Sequence, residues 1–207
     1  SHSLQSNTTG CYNTTIGYAA LQANTTASFN TAVGACSLYA NTTGTRNTAS
    51  GYGALKTNTT ANNNTALGFA ALNLNTTGAQ NTSIGSYSLQ QNTTGTDNTA
   101  IGHYAMKANT TGACNTAIGA YALCKNTTGN LNVAIGRTAL HANTTACRNV
   151  AVGVCALYSN TTAIANVAIG FASLCCTTTG DKNTATGGWS MWKNSTGANN
   201  TASGYYA

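Results

Sequence analysis

Residues 109–125 read NTTGACNTAIGAYALCK, and this stretch is one copy of a seventeen-residue unit that fills the whole chain. Self-similarity at a short fixed period is typical of solenoid arrays. We therefore expect one repeat array over residues 1–207 rather than separate globular domains. Successive units begin at Asn7, Asn24, Asn41, Asn58, Asn75, Asn92, Asn109, Asn126, Asn143, Asn160, Thr177 and Asn194.

Both ends of the chain fall inside a unit. Ser3 and Leu4 match the Ala-Leu pair that closes later units, and Ala207 stands in the middle of one. We expect the array to be a segment of a longer protein, with any targeting or anchoring segment outside it.

The composition is poor in charge, since only 5% of the 207 residues are charged and the formal net charge is +6. The eight cations occupy several different positions of the unit, whereas nucleic-acid binding usually needs basic residues clustered on one face. No run of about 18 apolar residues is present to form a transmembrane helix. We expect neither nucleic acid nor membrane insertion among the partners.

The pattern within the unit predicts β-structure. Counting from the first Asn, position 8 is Thr or Val, position 10 is usually branched and apolar, and position 15 is Leu or Met. Positions 8 and 10 share one face of a strand, which we assign to the interior, so Thr116, Ile118 and Leu123 are expected to point inward. Seventeen residues are too few for a helical repeat. The prediction is an all-β parallel solenoid or β-roll of about twelve coils, about 58 Å long at about 4.8 Å per coil.

Two further positions do not vary. Position 11 is always glycine, which supplies positive φ or close backbone approach and is expected to turn the corner of each coil: Gly17, Gly34, Gly51, Gly68, Gly85, Gly102, Gly119, Gly136, Gly153, Gly170, Gly187 and Gly204. Position 7 is always asparagine, which we interpret as a structural turn or ladder column: Asn13, Asn30, Asn47, Asn64, Asn81, Asn98, Asn115, Asn132, Asn149, Asn166, Asn183 and Asn200.

The apolar content of one coil is small. Two sizeable apolar side chains contribute about 3 to 6 kcal/mol of burial, whereas ordering costs roughly 1 to 2 kcal/mol for each residue's backbone. Association of parallel chains would supply further burial. A parallel homotrimer is the prediction, and a slim single-chain solenoid is the alternative.

The segment Asn98-Thr-Ala-Ile-Gly-His-Tyr-Ala-Met, with its equivalents at Asn64 and Asn115, resembles the head repeats of trimeric autotransporter adhesins. The longer unit is similar to arrays in large bacterial surface proteins and phage tail-fibre-like proteins. The resemblance implies a left-handed parallel β-roll of three chains in an extracellular, non-catalytic fibre. The unit departs from the adhesin pattern in being longer.

Asn-x-Thr without proline is the acceptor sequence for N-glycosylation, and it recurs at the start of eleven units. The candidate acceptors are Asn7, Asn24, Asn41, Asn58, Asn75, Asn92, Asn109, Asn126, Asn143, Asn160 and Asn194; further matches occur at Asn13, Asn63, Asn81 and Asn199. The alternative is a structural ladder of stacked Asn and Thr side chains. The unit at Thr177 favours that alternative, because it keeps the threonines and loses the asparagine.

Catalytic and metal chemistry find little support. The two acids, Asp97 and Asp181, lie five units apart, and no Cys-x-x-Cys pair exists. His2 and His141 have no carboxylate or thiol in their own units, and His103 shares its unit only with Asp97, six positions earlier. We predict no enzyme activity, no catalytic residue, no metal and no cofactor other than covalent glycans. The eight cysteines are interpreted as free thiols, with a Cys155–Cys175 pair or pairs between chains as alternatives.

Tyr87, Tyr104 and Tyr121 share position 13 and predict a stacked surface stripe, with carbohydrate contact as the alternative. The overall prediction is a structural extracellular or cell-surface fibre segment that associates with itself and carries glycans at Asn-Thr-Thr. The alternatives are the stalk or head of a surface adhesin or phage tail fibre that meets a host surface and, as a minor one, an ice-binding solenoid.

Overall fold

A computed structural model describes residues 2–207 as a stack of seventeen-residue coils with no helix. Each coil contributes one three-residue strand, and the twelve strands form one parallel sheet in chain order. Every residue of a strand pairs with the residue seventeen positions later, as Thr99 does with Thr116. The all-β parallel solenoid predicted from the period is confirmed. The strands are β1 Thr14–Ile16, β2 Thr31–Val33, β3 Thr48–Ser50, β4 Thr65–Leu67, β5 Thr82–Ile84, β6 Thr99–Ile101, β7 Thr116–Ile118, β8 Val133–Ile135, β9 Val150–Val152, β10 Val167–Ile169, β11 Thr184–Thr186 and β12 Thr201–Ser203.

Outside the strand, left-handed backbone bends each coil at four fixed positions. Positions 6, 13 and 15 have φ of 56–63°, 51–62° and 47–51°, and position 11 has φ of 121–138°. Residues other than glycine hold most of these conformations, at a cost of order 1–3 kcal/mol each. The cost is offset by hydrogen bonds between coils at the same positions, such as Leu123 N–H to Ala139 O at 2.9 Å and Tyr121 N–H to His103 O at 2.9 Å.

Position 11 is the one corner that requires glycine. Gly119 has φ of 132°, which side chains rarely tolerate, and a Cβ there would lie 2.7 Å from both the carbonyl carbon and the oxygen of Gly136 in the next coil. The same arrangement of a positive φ facing the next glycine recurs from Gly17 to Gly187. A side chain at position 11 would therefore clash with the backbone of the next coil.

The inside and outside of the strand are the reverse of the prediction. Thr116 and Ile118 were expected to face inward, but Ile118 is 37% exposed and Thr116 is partly exposed. Ala117, at position 9 between them, is fully buried. Leu123 at position 15 is fully buried, so that part of the expected interior is confirmed. The apolar core consists of alanines at positions 9 and 14 with the Leu or Met at position 15.

The interior admits only small side chains on the strand because its opposite wall is close. Where serine replaces alanine at positions 9 and 14, the Ser83 hydroxyl donates to the carbonyl of Ser88 at 2.9 Å across the coil. Similarly, the Ser173 hydroxyl donates to the carbonyl of Ala185 at 3.2 Å. Walls this close leave room for one long side chain per coil, and Leu123 or its equivalent takes it. The branched residue at position 10 is left on the outer surface.

Truncating an inward and an outward residue of one coil tests this assignment. Leu123→Ala is expected to lower the free energy of unfolding by about 2 to 5 kcal/mol, because it opens a cavity in a fully buried position. Ile118→Ala, on the outer face of the same coil, is expected to cost under about 1 kcal/mol in the single chain. Denaturant titration followed by circular dichroism measures both. A larger loss for Ile118→Ala would restore the original inward assignment.

Candidate functional site

The first asparagine of the unit forms a side-chain ladder along the inside of the stack. Asn109 Nδ2 donates to Asn92 Oδ1 at 2.8 Å and to the carbonyl oxygen of Gly112 in its own coil at 2.9 Å. Its Oδ1 accepts from Asn126 Nδ2 at 2.8 Å. The same amide-to-amide bond runs from Asn7 up to Asn160 at 2.7–3.4 Å. Both amide hydrogens and the carbonyl of Asn109 are therefore bonded.

The asparagine at position 7 forms a second ladder, parallel to the first, with a different pattern of hydrogen bonds. Asn98 Oδ1 accepts the backbone N–H of Asn115 at 3.0 Å, and Asn98 Nδ2 donates to the carbonyl oxygen of Gly112 at 2.8 Å. This side chain thus clamps the backbone of the next coil at two points. Equivalent bonds are present from Asn13 to Asn183.

The two ladders meet at the carbonyl of position 4. Gly112 O accepts one hydrogen bond from Asn109 of its own coil and a second from Asn98 of the coil before. A carbonyl oxygen has two lone pairs, so this acceptor is fully used. Positions 1, 4 and 7 are buried together on the same side of the coil, where they form a continuous column of amide groups that fixes the seventeen-residue register.

This ladder favours the structural alternative over N-glycosylation at most of the predicted acceptors. A glycan attaches to Asn Nδ2. Here Nδ2 lies in the interior and donates both of its hydrogens to acceptors within the stack, as at Asn109. Asn7 and Asn194, in the first and last coils, are half-buried, and for them the prediction stays open. For the fully buried candidates glycosylation stays a prediction that the ladder disfavours; they are Asn24, Asn41, Asn58, Asn75, Asn92, Asn109, Asn126, Asn143 and Asn160.

Among the further acceptor matches, Asn13 and Asn81 belong to the position-7 ladder. Asn63 and Asn199 occupy position 6 instead, on the exposed turn, with φ of 59° in both. Asparagine tolerates this left-handed conformation better than most residues. If the chain carries N-linked sugars, these two exposed side chains are the acceptors that the fold leaves accessible.

The two threonines that follow the first asparagine have different environments. Thr110 at position 2 is partly buried, and its hydroxyl donates to the carbonyl of Thr127 in the next coil at 3.0 Å. Thr111 at position 3 is exposed. The hydroxyls of position 2 therefore bond one coil to the next. Of these two positions, only position 3 presents a row of hydroxyls to solvent. The minor ice-binding prediction required two outward threonine columns, and this edge of the coil supplies one.

The tyrosines of position 13 form the stacked stripe that was predicted. Tyr87 and Tyr104 have ring centroids 5.2 Å apart and are inclined by 10°, and Tyr104 and Tyr121 are 5.3 Å apart. Lys107 Nζ lies 4.6 Å from the centre of the Tyr104 ring. Because the ring faces cover one another and the lysine covers part of one, the stripe offers ring edges and hydroxyls to a ligand rather than open faces. Carbohydrate contact here stays a prediction.

The eight cysteines are free thiols in the structure. Burial, with contributions from Cys176 and Cys155, raises the pKa of the Cys175 thiol to about 11. Burial also raises the pKa of Cys124. The pKa of His141 is lowered, mainly by burial and also by the positive charge of the nearby Lys125. A thiol with a raised pKa is protonated at neutral pH and is a poor nucleophile. These two cysteines are therefore placed for packing rather than for reaction.

Within residues 2–207 there is no enclosed pocket and no group of three His, Cys, Asp or Glu side chains placed to hold a metal ion. Over the same residues no helix has the length and apolarity needed to cross a bilayer. Of the two carboxylates, Asp181 Oδ1 accepts the backbone N–H of Ile164 in the preceding coil at 2.7 Å. The features that the chain does present are its ladders and its outer faces.

Comparison with known protein families, with curated proteins and with solved structures gave no match to this chain. The interpretation therefore depends on the geometry of the coil itself.

The position-1 ladder has one break, at the single unit that lacks the first asparagine. Asn160 Oδ1 is buried and has no hydrogen-bond partner, and it is the one such side-chain atom within residues 2–207. The residue that should donate to it is Thr177, whose hydroxyl instead donates to the carbonyl of Asn194 at 2.8 Å. An unpaired buried acceptor costs about 1–3 kcal/mol. The stack is thus weakened between the coils that begin at Asn160 and Thr177.

Restoring the missing amide should stabilise the protein. Thr177→Asn would donate one Nδ2 hydrogen to Asn160 Oδ1. The other would go to the carbonyl of Gly180, in place of the 3.2 Å bond from Asn183 Nδ2, and the Oδ1 of the new side chain would face Asn194 Nδ2. The expected gain in the free energy of unfolding is about 1–2 kcal/mol after the loss of the threonine hydroxyl bond. Denaturant titration measures it. Thr179→Asn, on the exposed position 3, is the matched control and should change little; a destabilised Thr177→Asn protein would contradict the ladder account.

Proposed function

We propose that this chain is a structural segment of an extracellular fibre, in which the stack of coils acts as a stiff rod. The observation that carries the proposal is the continuity of the position-7 asparagine ladder through the stack. The position-1 ladder is broken at Thr177, but the break interrupts neither the position-7 bonds nor the strand pairing of β10 with β11. Such a stack resists bending and extends by adding units.

The distribution of variable residues supports a structural role. The positions that differ most between units, 5, 6, 12, 13, 16 and 17, lie on the turns and not in a common concave site. The interior repeats the same small and amide side chains in each coil. A chain that keeps its interior constant and scatters its charged and aromatic residues along the outside is suited to spacing or scaffolding.

The extracellular location is a further part of the proposal, and it rests on the resemblance of the Asn-Thr-Ala-Ile-Gly core to adhesin head repeats. Glycan attachment is kept only for exposed acceptors such as Asn63 and Asn199. The second candidate, a stalk or head of a surface adhesin or phage tail fibre, differs in predicting a finite rod that ends in a distinct tip.

Immunogold electron microscopy with antibodies against residues 1–207 tests the proposal on cells and culture medium of the source organism. The expected result is regularly spaced label along external filaments, because every segment of the fibre would present the same coils. Label confined to one short section beneath a tip would favour the adhesin or tail-fibre role. Label restricted to the cell interior would overturn the extracellular fibre. Pre-immune serum is the control.

A further inference from the structure

The outward side of the twelve-stranded sheet is an unusually uniform surface. We define the outer strand face as the side chains at positions 8 and 10 of β1–β12. Position 8 is Thr or Val throughout, and position 10 is Ile, Val or Leu in nine strands and Ser or Thr in the other three. No charged residue occurs in either column, so the whole net charge of +6 lies on other parts of the coil.

The most apolar part of this face lies in its C-terminal half. In β8, β9 and β10 both columns are aliphatic, with Val133 beside Ile135 and Val167 beside Ile169. Ile135 is 38% exposed and Ile169 is 42% exposed in the single chain. Aliphatic rows on the outside of a sheet are the opposite of what a solvated strand normally presents.

We infer that the outer strand face is a lateral interface on which a second copy of this chain packs, sheet against sheet. This inference rests on the proposed structural role, because it names the partner through which one rod joins another.

The area is sufficient for a specific pair. Three residues at about 3.3 Å each and twelve strands at about 4.8 Å give a face of roughly 10 Å by 53 Å, or about 500 Å² in projection. Two such faces bury about 1,000 Å² together, which is near the minimum for a specific interface. Because accessible surface exceeds its flat projection, the buried area is larger than this value.

The periodicity selects a second copy as the occupant. The side chains of the face repeat with the strand spacing of about 4.8 Å along the entire rod. A partner that fits every row must repeat at the same spacing, and another copy of this chain does so without any adjustment. Two sheets with the same row spacing can pack about 10 Å apart with their side chains in phase.

The charge distribution permits the pairing. Two chains of the same net charge repel when their charges face each other. The cations that flank β8–β10 in sequence, Arg137 at position 12 and Arg148 at position 6, are on turns rather than on the strands. A neutral centre with charges kept to the edge matches the composition of protein interfaces, which are depleted of charge at their core. Packing of β8–β10 against the partner would therefore contribute most of the affinity.

Sedimentation velocity of residues 1–207 over a range of about 1–100 μM tests the pairing. The expected result is a concentration-dependent equilibrium between one and two chains. The double variant Ile135→Lys/Ile169→Lys should weaken this equilibrium at least tenfold, because it puts two lysines in the most apolar part of the face. Its circular dichroism spectrum should be unchanged, since both side chains point away from the interior.

The matched control is Leu131→Lys/Val154→Lys, which places the same two lysines on exposed turns of neighbouring coils, where the native residues are 54% and 38% exposed. It should pair like the original chain. A chain that is monomeric at all concentrations, a stoichiometry of three, or equal weakening by both double variants would overturn the inference. Those outcomes would leave the extracellular fibre standing, since immunogold labelling of external filaments does not depend on how many chains lie side by side.

Discussion

The structure depends on buried asparagine side chains. These side chains, rather than the apolar core, set the register between successive coils. In each coil, amide groups at positions 1 and 7 converge on the position-4 carbonyl, as Asn109 and Asn98 do on Gly112 O. Buried amides must find hydrogen-bond partners, and here the partners exist only if successive coils are offset by one unit. A slip of one residue would leave a row of buried amides unpaired. The ladders therefore penalise every register but the observed one.

This constraint accounts for other features of the coil. The left-handed residues at positions 6, 13 and 15 are strained one by one, yet the stack holds them because the hydrogen bonds on both sides of each coil are already in place. The two walls of the coil are so close that the hydroxyl of Ser83 reaches the carbonyl of Ser88 on the opposite wall. The interior is therefore narrow. Because the branched residues of position 10 are excluded from that interior, they lie on an uncharged outer strand face. The proposed pairing of two chains uses that face.

Much of the fold could be predicted from the sequence, because a fixed period of seventeen residues with invariant glycine indicates a parallel coil. The face of the strand could not be assigned by size alone. Ile118 is larger and more apolar than Ala117, and only the closeness of the opposite wall makes Ala117 the inward residue. A signal was present: position 9 never exceeds Thr in size, whereas position 10 admits Ser50 and Thr186 among its aliphatics.

The role of Asn-Thr-Thr was harder to predict, because a glycosylation acceptor and a ladder asparagine have the same sequence motif. The spacing of the two asparagine columns about a small residue, at positions 1, 4 and 7, was the available clue. It could not show that both columns reach one carbonyl, since that contact joins Asn98 and Gly112 from different coils. Asn63 and Asn199 match the acceptor pattern equally well and lie outside the ladders. Burial distinguishes the two classes, and burial is a property of the fold.

Side-chain amide hydrogen exchange, followed by nuclear magnetic resonance in the native protein, tests the ladders most directly. The Nδ2 hydrogens of Asn109 and Asn98 are buried and bonded, so we expect them to exchange only when the stack opens, at rates close to those of the most protected backbone amides. The Nδ2 hydrogens of the exposed Asn63 should exchange at the rate of a free amide. Rapid exchange at Asn109 and Asn98, indistinguishable from that at Asn63, would contradict the account.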